Sequence, residues 1–316
     1  LRLAFPRVAG NDPHPARNDH PWDPALSADL LPLVFALGAA VLFAVGDQFQ
    51  YLGVRSLDSR SGTMISIVTS TLCFWLLAPF LLDPAYLTEI GILVFAVIGL
   101  VRPALSANLS VAGVRYLGPT LSSTLASTSP LFGTVLGVLL LGEVLTWPVA
   151  LGTAGIVSAI LVLSRRRGGT AADWPVWALA LPIAAAAIRS LAHVLSKIGM
   201  VTVPDAYVAG LVSFTVSTLV LLSSQAVRRE RPRILASRPA ALCFVGSGIT
   251  MALAITALNQ ALLLGQIVVV VPIVSASPVF TMLLSIVVFR RERISARLLA
   301  AVCVVVPSVI VIALGR

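Results

Sequence analysis

Charge is what this sequence has least of. Asp, Glu, Lys and Arg together make up 11% of its 316 residues, less than half of the roughly 25% found in an ordinary soluble domain. Acid is the scarcer sign, with 13 Asp and Glu against 22 Lys and Arg. Aromatic residues are 7%, and the three cysteines, Cys73, Cys243 and Cys303, all sit inside apolar runs. Three cysteines without metal-ligand spacing exclude a disulfide framework and a zinc site, and read as small hydrophobes. No Gly-x-x-x-x-Gly-Lys-Ser/Thr loop occurs, so nucleotide hydrolysis has no phosphate cradle and no cofactor is expected. The net charge of +9 comes from short arginine clusters between apolar runs, with no basic face interleaved with aromatics. That pattern excludes nucleic acid as a partner and describes loop charges flanking membrane spans.

What is there instead is hydrophobic length. Leu, Val, Ala, Ile and their kin reach 58%, more apolar surface than a soluble fold can hide, so membrane lipid is the expected solvent. A helix needs about 20 mainly apolar residues to cross the hydrocarbon, where no unpaired backbone group is tolerated. At that length the sequence divides into ten segments, 31–53, 63–82, 90–112, 119–141, 147–164, 174–196, 206–224, 238–259, 267–288 and 296–314. Residues 1–30 are polar and proline-containing and read as a disordered N-terminal extension.

The segments repeat. Ser129-Pro130-Leu131-Phe132 in segment four returns as Ser277-Pro278-Val279-Phe280 in segment nine, 148 residues later. Small residues follow at helical spacing in both, Gly133 and Gly137 against Thr281 and Ser285, and each stretch ends in a glutamate, Glu143 or Glu292. Two units result, 31–168 and 174–316. Each holds five spans, so the second copy must start on the opposite face of the membrane. The expected fold is therefore an all-α polytopic membrane protein of ten transmembrane helices in two inverted five-helix repeats, an arrangement that places a site between the halves near the midplane.

The run Leu117-Gly118-Pro119-Thr120, Ser129-Pro130-Leu131-Phe132, Leu140-Leu141-Gly142-Glu143-Val144-Leu145-Thr146 and Gly152 resembles the signature of the EamA-type family of the drug/metabolite transporter superfamily. The resemblance extends over residues 31–316. It implies a ten-helix carrier of small metabolites, amino acids or organic cations, with helices from both halves around a central cavity, in a bacterial inner membrane. Val45-Gly46 stands where many relatives have Trp-Gly, and Arg290-Arg291-Glu292 stands where the first repeat has Gly-Glu.

An ionisable group within the hydrocarbon is costly, so each one is a functional candidate. Asp47 lies late in segment one within the polar patch Gly46-Asp47-Gln48-Phe49-Gln50, Arg102 near the centre of segment three beside Pro103, and Arg189 near the centre of segment six. Each either lines the cavity or closes an ion pair between helices. His193 follows Arg189 by one turn and shares its face, as a proton relay or as an interhelical hydrogen-bonding group. Gln48, Asn108 and Asn259 add hydrogen-bonding capacity. Pro130 and Pro278 are expected to bend their spans and free carbonyls, and Gly133 and Gly137 to bring helices close. Glu143 and Glu292 fall at membrane edges, which favours helix-terminal or loop roles.

Secondary transport of a small-molecule substrate is the leading reading. A lipid or lipid-linked-sugar flippase on the same fold is the alternative, and an integral membrane enzyme is disfavoured because the spans hold a single histidine and no metal cluster. Aligning Arg55 with Lys197 places Asp47 opposite Arg189 in the repeat and suggests that the two act together across the cavity. Lys and Arg total fifteen in the odd-numbered loops against five on the other face. The positive-inside rule then puts those loops in the cytoplasm, whereas the family resemblance implies cytoplasmic termini.

Overall fold

The computed structural model describes residues 24–102, 128–164, 175–228, 238–287 and 296–315, with single positions between 105 and 126. Its helices are α1 (Pro24–Gly53), α2 (Ser59–Leu81), α3 (Gly91–Val101), α4 (Ser129–Leu141), α5 (Trp147–Ser164), α6 (Ala180–Thr202), α7 (Ala206–Arg228), α8 (Arg238–Leu264), the broken α9 (α9a, Ile267–Ser275; α9b, Ser277–Val287) and α10 (Ala296–Leu314). Among the described residues six helices are long and apolar enough to cross a membrane, and four shorter apolar ones complete the ten. Local chemistry sets several of their ends. Asp58 accepts the Ser61 amide to cap α2, and Asp205 accepts the amides of Tyr207 and Val208 to cap α7. Gly142, with φ at 68°, closes α4 in the left-handed conformation that glycine adopts without strain.

The packing has a two-fold pattern. α1 lies on α8 as α6 lies on α3; α2 meets α8 as α7 meets α3; and α1 meets α9 as α6 meets α4. The remaining large contacts join equivalent helices across the axis: α2 with α7, α4 with α9, α5 with α10. Those self-paired helices run antiparallel. Gly133 abuts Val271 and Gly137 abuts Val268, while Gly152 abuts Ile312 and Gly155 abuts Ser308. Parallel repeats would make equivalent helices run the same way, so the two halves are inverted about an axis in the membrane plane.

Which surface faces lipid follows from the large apolar side chains left outside. Leu76, Phe80, Leu139 and Trp147 are more than 70% exposed, which only a hydrocarbon surround tolerates on this scale. The centre is closed by α9a, where Ile267, Val268, Val270 and Ile273 are fully buried.

Three boundaries differ from the sequence reading. α1 is helical from Pro24, ahead of the start expected at 31, and the preceding residues lie outside the described set. α3 stops at Val101, so Arg102, expected near the centre of a span, is instead the end of a helix, with extended backbone at φ −120° and ψ 134°. The cause is Pro103, whose ring disfavours helical backbone in the residue before it. The breaks expected at the prolines fall two residues before them. α9 breaks at Ala276 and α4 is preceded by a turn at Thr128, 148 residues apart, with nearly identical backbone angles. Pro130 and Pro278 then occupy the first turn of the restarted helices, where a missing amide costs nothing.

Candidate functional site

Between the halves lies a cavity of about 140 Å³, walled by the middle turns of α2, α6, α7 and α8 and by the ends of α1 and α3. Its polar walls are built twice. On α2, Ser66 donates to the Phe244 carbonyl at 3.0 Å and Ser70 to the Gly248 carbonyl at 2.7 Å. On α7, Ser213 donates to the Phe95 carbonyl at 3.2 Å and Ser217 to the Gly99 carbonyl at 2.9 Å. All four serines line the cavity. The same Ser-x-x-x-Ser on one half thus grips the same Phe-x-x-x-Gly on the other, in both directions. Gly99 and Gly248 make the approach possible. A methyl group there would sit 2.5 Å from the Ser213 carbonyl oxygen and 2.6 Å from that of Ser66.

Of the residues singled out in the sequence, this cavity gathers Arg102, His193 and Asn259. The break in α3 turns Arg102 out of the helix, and its carbonyl accepts from Ser217. Asn259 is buried; its Oδ1 accepts from Ser196 at 3.1 Å and its Nδ2 donates to the Ala206 carbonyl at 3.2 Å. His193 stands within reach of the charges of both Arg102 and Arg189, and its buried Nδ1 has no hydrogen-bond partner among the described residues. Arg189 is half-buried on α6 beside Ser190, whose hydroxyl donates to the Ser129 carbonyl at 2.7 Å.

Asp47 and Gln48 belong to a different contact, between α1 and α9b. Thr281 donates to Asp47 at 3.2 Å, and Gln48 donates to the Thr281 carbonyl at 2.7 Å. Asn108 lies outside the described residues, as does Glu292. Gly133 and Gly137 sit where α4 presses on α9a, a methyl at Gly133 being 2.8 Å from Val271.

The repeat register changes the pairing of charges. Gly53 is wedged by Phe244 and Gly199 by Phe95, which sets the offset between α1 and α6 at 146 residues rather than the 142 obtained by aligning Arg55 with Lys197. His193, not Arg189, is then the counterpart of Asp47. Gln50 is the counterpart of Ser196, and both line the cavity.

A second cluster joins the halves at one end. Glu143, beyond the left-handed Gly142, is buried; its Oε1 accepts from Lys197 at 2.8 Å and from the Ile267 amide at 2.8 Å, and its Oε2 accepts from the Val268 amide at 2.9 Å. Lys197 also donates to the Gly265 carbonyl. A carboxylate thus caps the start of α9a and an ammonium caps the end of α8, each at the pole that favours its charge. The helix-terminal role expected of Glu143 is here, while its partner Lys197 and the four cavity serines were missed. The serine and phenylalanine–glycine spacings recur in both halves and were visible signals.

A model described as the EamA-like transporter family matches residues 30–165 and 176–314, one match to each repeat. Among solved structures 29 chains match. One, a crystal structure of a protein, is similar at a TM-score of 0.76 over 92% of this chain and 97% of its own, with 18% sequence identity; that likeness shows the fold alone. No curated protein matches.

Proposed function

Because the chain belongs to the EamA-like transporter family, a family of transporters rather than enzymes, we propose that it is a secondary carrier moving a small water-soluble metabolite by alternating access. The observation that carries this reading is the doubled serine grip around a cavity shared by both halves. A scaffold whose cross-axis contacts come in equivalent pairs can exchange the roles of its halves, which opens the same cavity to the other face. Without a nucleotide site in the sequence, a solute or ion gradient drives the cycle.

Purified protein in liposomes tests the proposal. Labelled solute inside should exchange with unlabelled solute outside, and accumulation should vanish when ion gradients are collapsed while exchange persists. Passage of labelled phospholipid with no passage of any water-soluble solute would replace this reading with the flippase.

A further inference from the structure

We propose that the cavity selects small anionic solutes, with a carboxylate held by Arg102 and His193. This rests on the transport reading above and names the substrate class of the same site.

The first support is the inventory of charge. Among the described residues Arg102 is the only formally charged side chain in the cavity wall. Among the same described residues no Asp or Glu lines the cavity. Of the 13 acids in the sequence, Asp47 alone falls well inside a span, and it meets Thr281. Glu143, at the end of α4, is engaged by Lys197 and two amides. Among the described residues no carboxylate pairs with Arg102. A cation within a membrane protein requires a counter-charge or water, and a substrate anion supplies one; an organic cation adds to the excess.

The second support is which hydrogen-bonding groups are already in use. The hydroxyl protons of Ser66, Ser70, Ser213 and Ser217 are directed at backbone carbonyls. The Asn259 carbonyl oxygen already accepts from Ser196. His193 Nδ1, by contrast, has no partner among the described residues, and the guanidinium of Arg102 is a fork of donors suited to a carboxylate. The third support is size. A cavity of about 140 Å³ is comparable with the engineered interior cavity that takes up benzene, so in this state it fits a solute of about six non-hydrogen atoms.

Thermal stabilisation and liposome uptake with L-lactate, succinate and choline decide the matter. Lactate or succinate should raise the melting temperature of the wild-type protein and choline should not. Arg102→Gln should weaken carboxylate binding at least tenfold, and Arg102→Lys should retain part of it. If Arg102→Gln fails to fold, the wild-type comparison and Arg102→Lys still decide. Stabilisation or transport of choline with neither carboxylate bound would overturn the proposal and leave secondary transport standing. Stabilisation by none of the three would overturn it as well, and so would equal lactate affinity in wild type and Arg102→Gln. Carboxylate binding that depends on Arg102 but is never followed by passage across the bilayer would uphold the anion site and remove the transport reading.

Discussion

The first and second halves of this molecule share a scaffold and differ in the chemistry hung on it. Ser66 and Ser70 grip α8 as Ser213 and Ser217 grip α3, and Gly248 admits that contact as Gly99 does. At equivalent positions of α1 and α6, however, Asp47 stands opposite His193, Gln50 opposite Ser196 and Tyr51 opposite Lys197. What is duplicated is the set of contacts by which each half holds the other. What is not duplicated is charge, and that leaves the cavity with Arg102 and His193 and sends Asp47 to Thr281.

The largest effect is expected at the Glu143 cluster, which ties the first half to α8 and α9a of the second. Glu143→Ala removes the partner of Lys197 and the acceptor of the Ile267 and Val268 amides together. Breaking a buried pair by deleting one member costs about 3–5 kcal/mol, and because Lys197 keeps some access to solvent the lower end applies. Reversible unfolding in mixed micelles measures it. A loss under about 1 kcal/mol, the range of an exposed pair, would show that the cluster is incidental to joining the halves.

Next in size are Gly99→Ala and Gly248→Ala. The added methyl meets a backbone oxygen in both, at 2.5 Å and 2.6 Å, and a side-chain Cβ at 2.7 Å in both. Neither obstacle can rotate away, so each substitution should cost about 1–3 kcal/mol by overpacking, and the two costs should agree. A tolerated substitution at one site and a severe one at the other would break the equivalence of the halves.

Much of this was legible in the sequence because lipid simplifies the code. Ten apolar stretches give ten helices, and five per repeat forces inversion by parity alone. The duplicated Ser-Pro-x-Phe located the breaks before α4 and within α9, although the breaks precede the prolines because proline is stable in a first turn. The pairing of charges was not legible, since no single offset relates the halves. It is 146 residues between α1 and α6, 147 between α2 and α7, 149 between α3 and α8 and 148 between Ser129 and Ser277, as the equivalent contacts show. Loops of unequal length shift the register, and an error of one turn exchanges Arg189 for His193. The backbone break at Arg102 was written in Pro103, but its consequence depended on Ser217 lying alongside to take the carbonyl.

The smallest effect is the most informative about that last point. Ser70→Ala and Ser217→Ala each remove one hydroxyl that donates to a glycine carbonyl across the axis. Interhelical hydrogen bonds in membranes average about 0.6 kcal/mol, with a ceiling near 1.7 kcal/mol, so both variants should unfold only slightly more easily than wild type and to similar extents. Their transport should not be similar. Ser70 shares its proton with the Ser66 carbonyl in its own helix, whereas Ser217 shares its proton with the carbonyl of Arg102. Losing Ser217 therefore frees the carbonyl of the residue that carries the guanidinium, whereas losing Ser70 frees only the carbonyls of Ser66 and Gly248, neither of which bears a charged side chain. Half-saturation for L-lactate in liposomes should rise several-fold in Ser217→Ala and stay within twofold in Ser70→Ala, at matched stability. Equal half-saturation constants would mean that Arg102 is positioned by the helix break alone, and that the two serines are equivalent in function as well as in geometry.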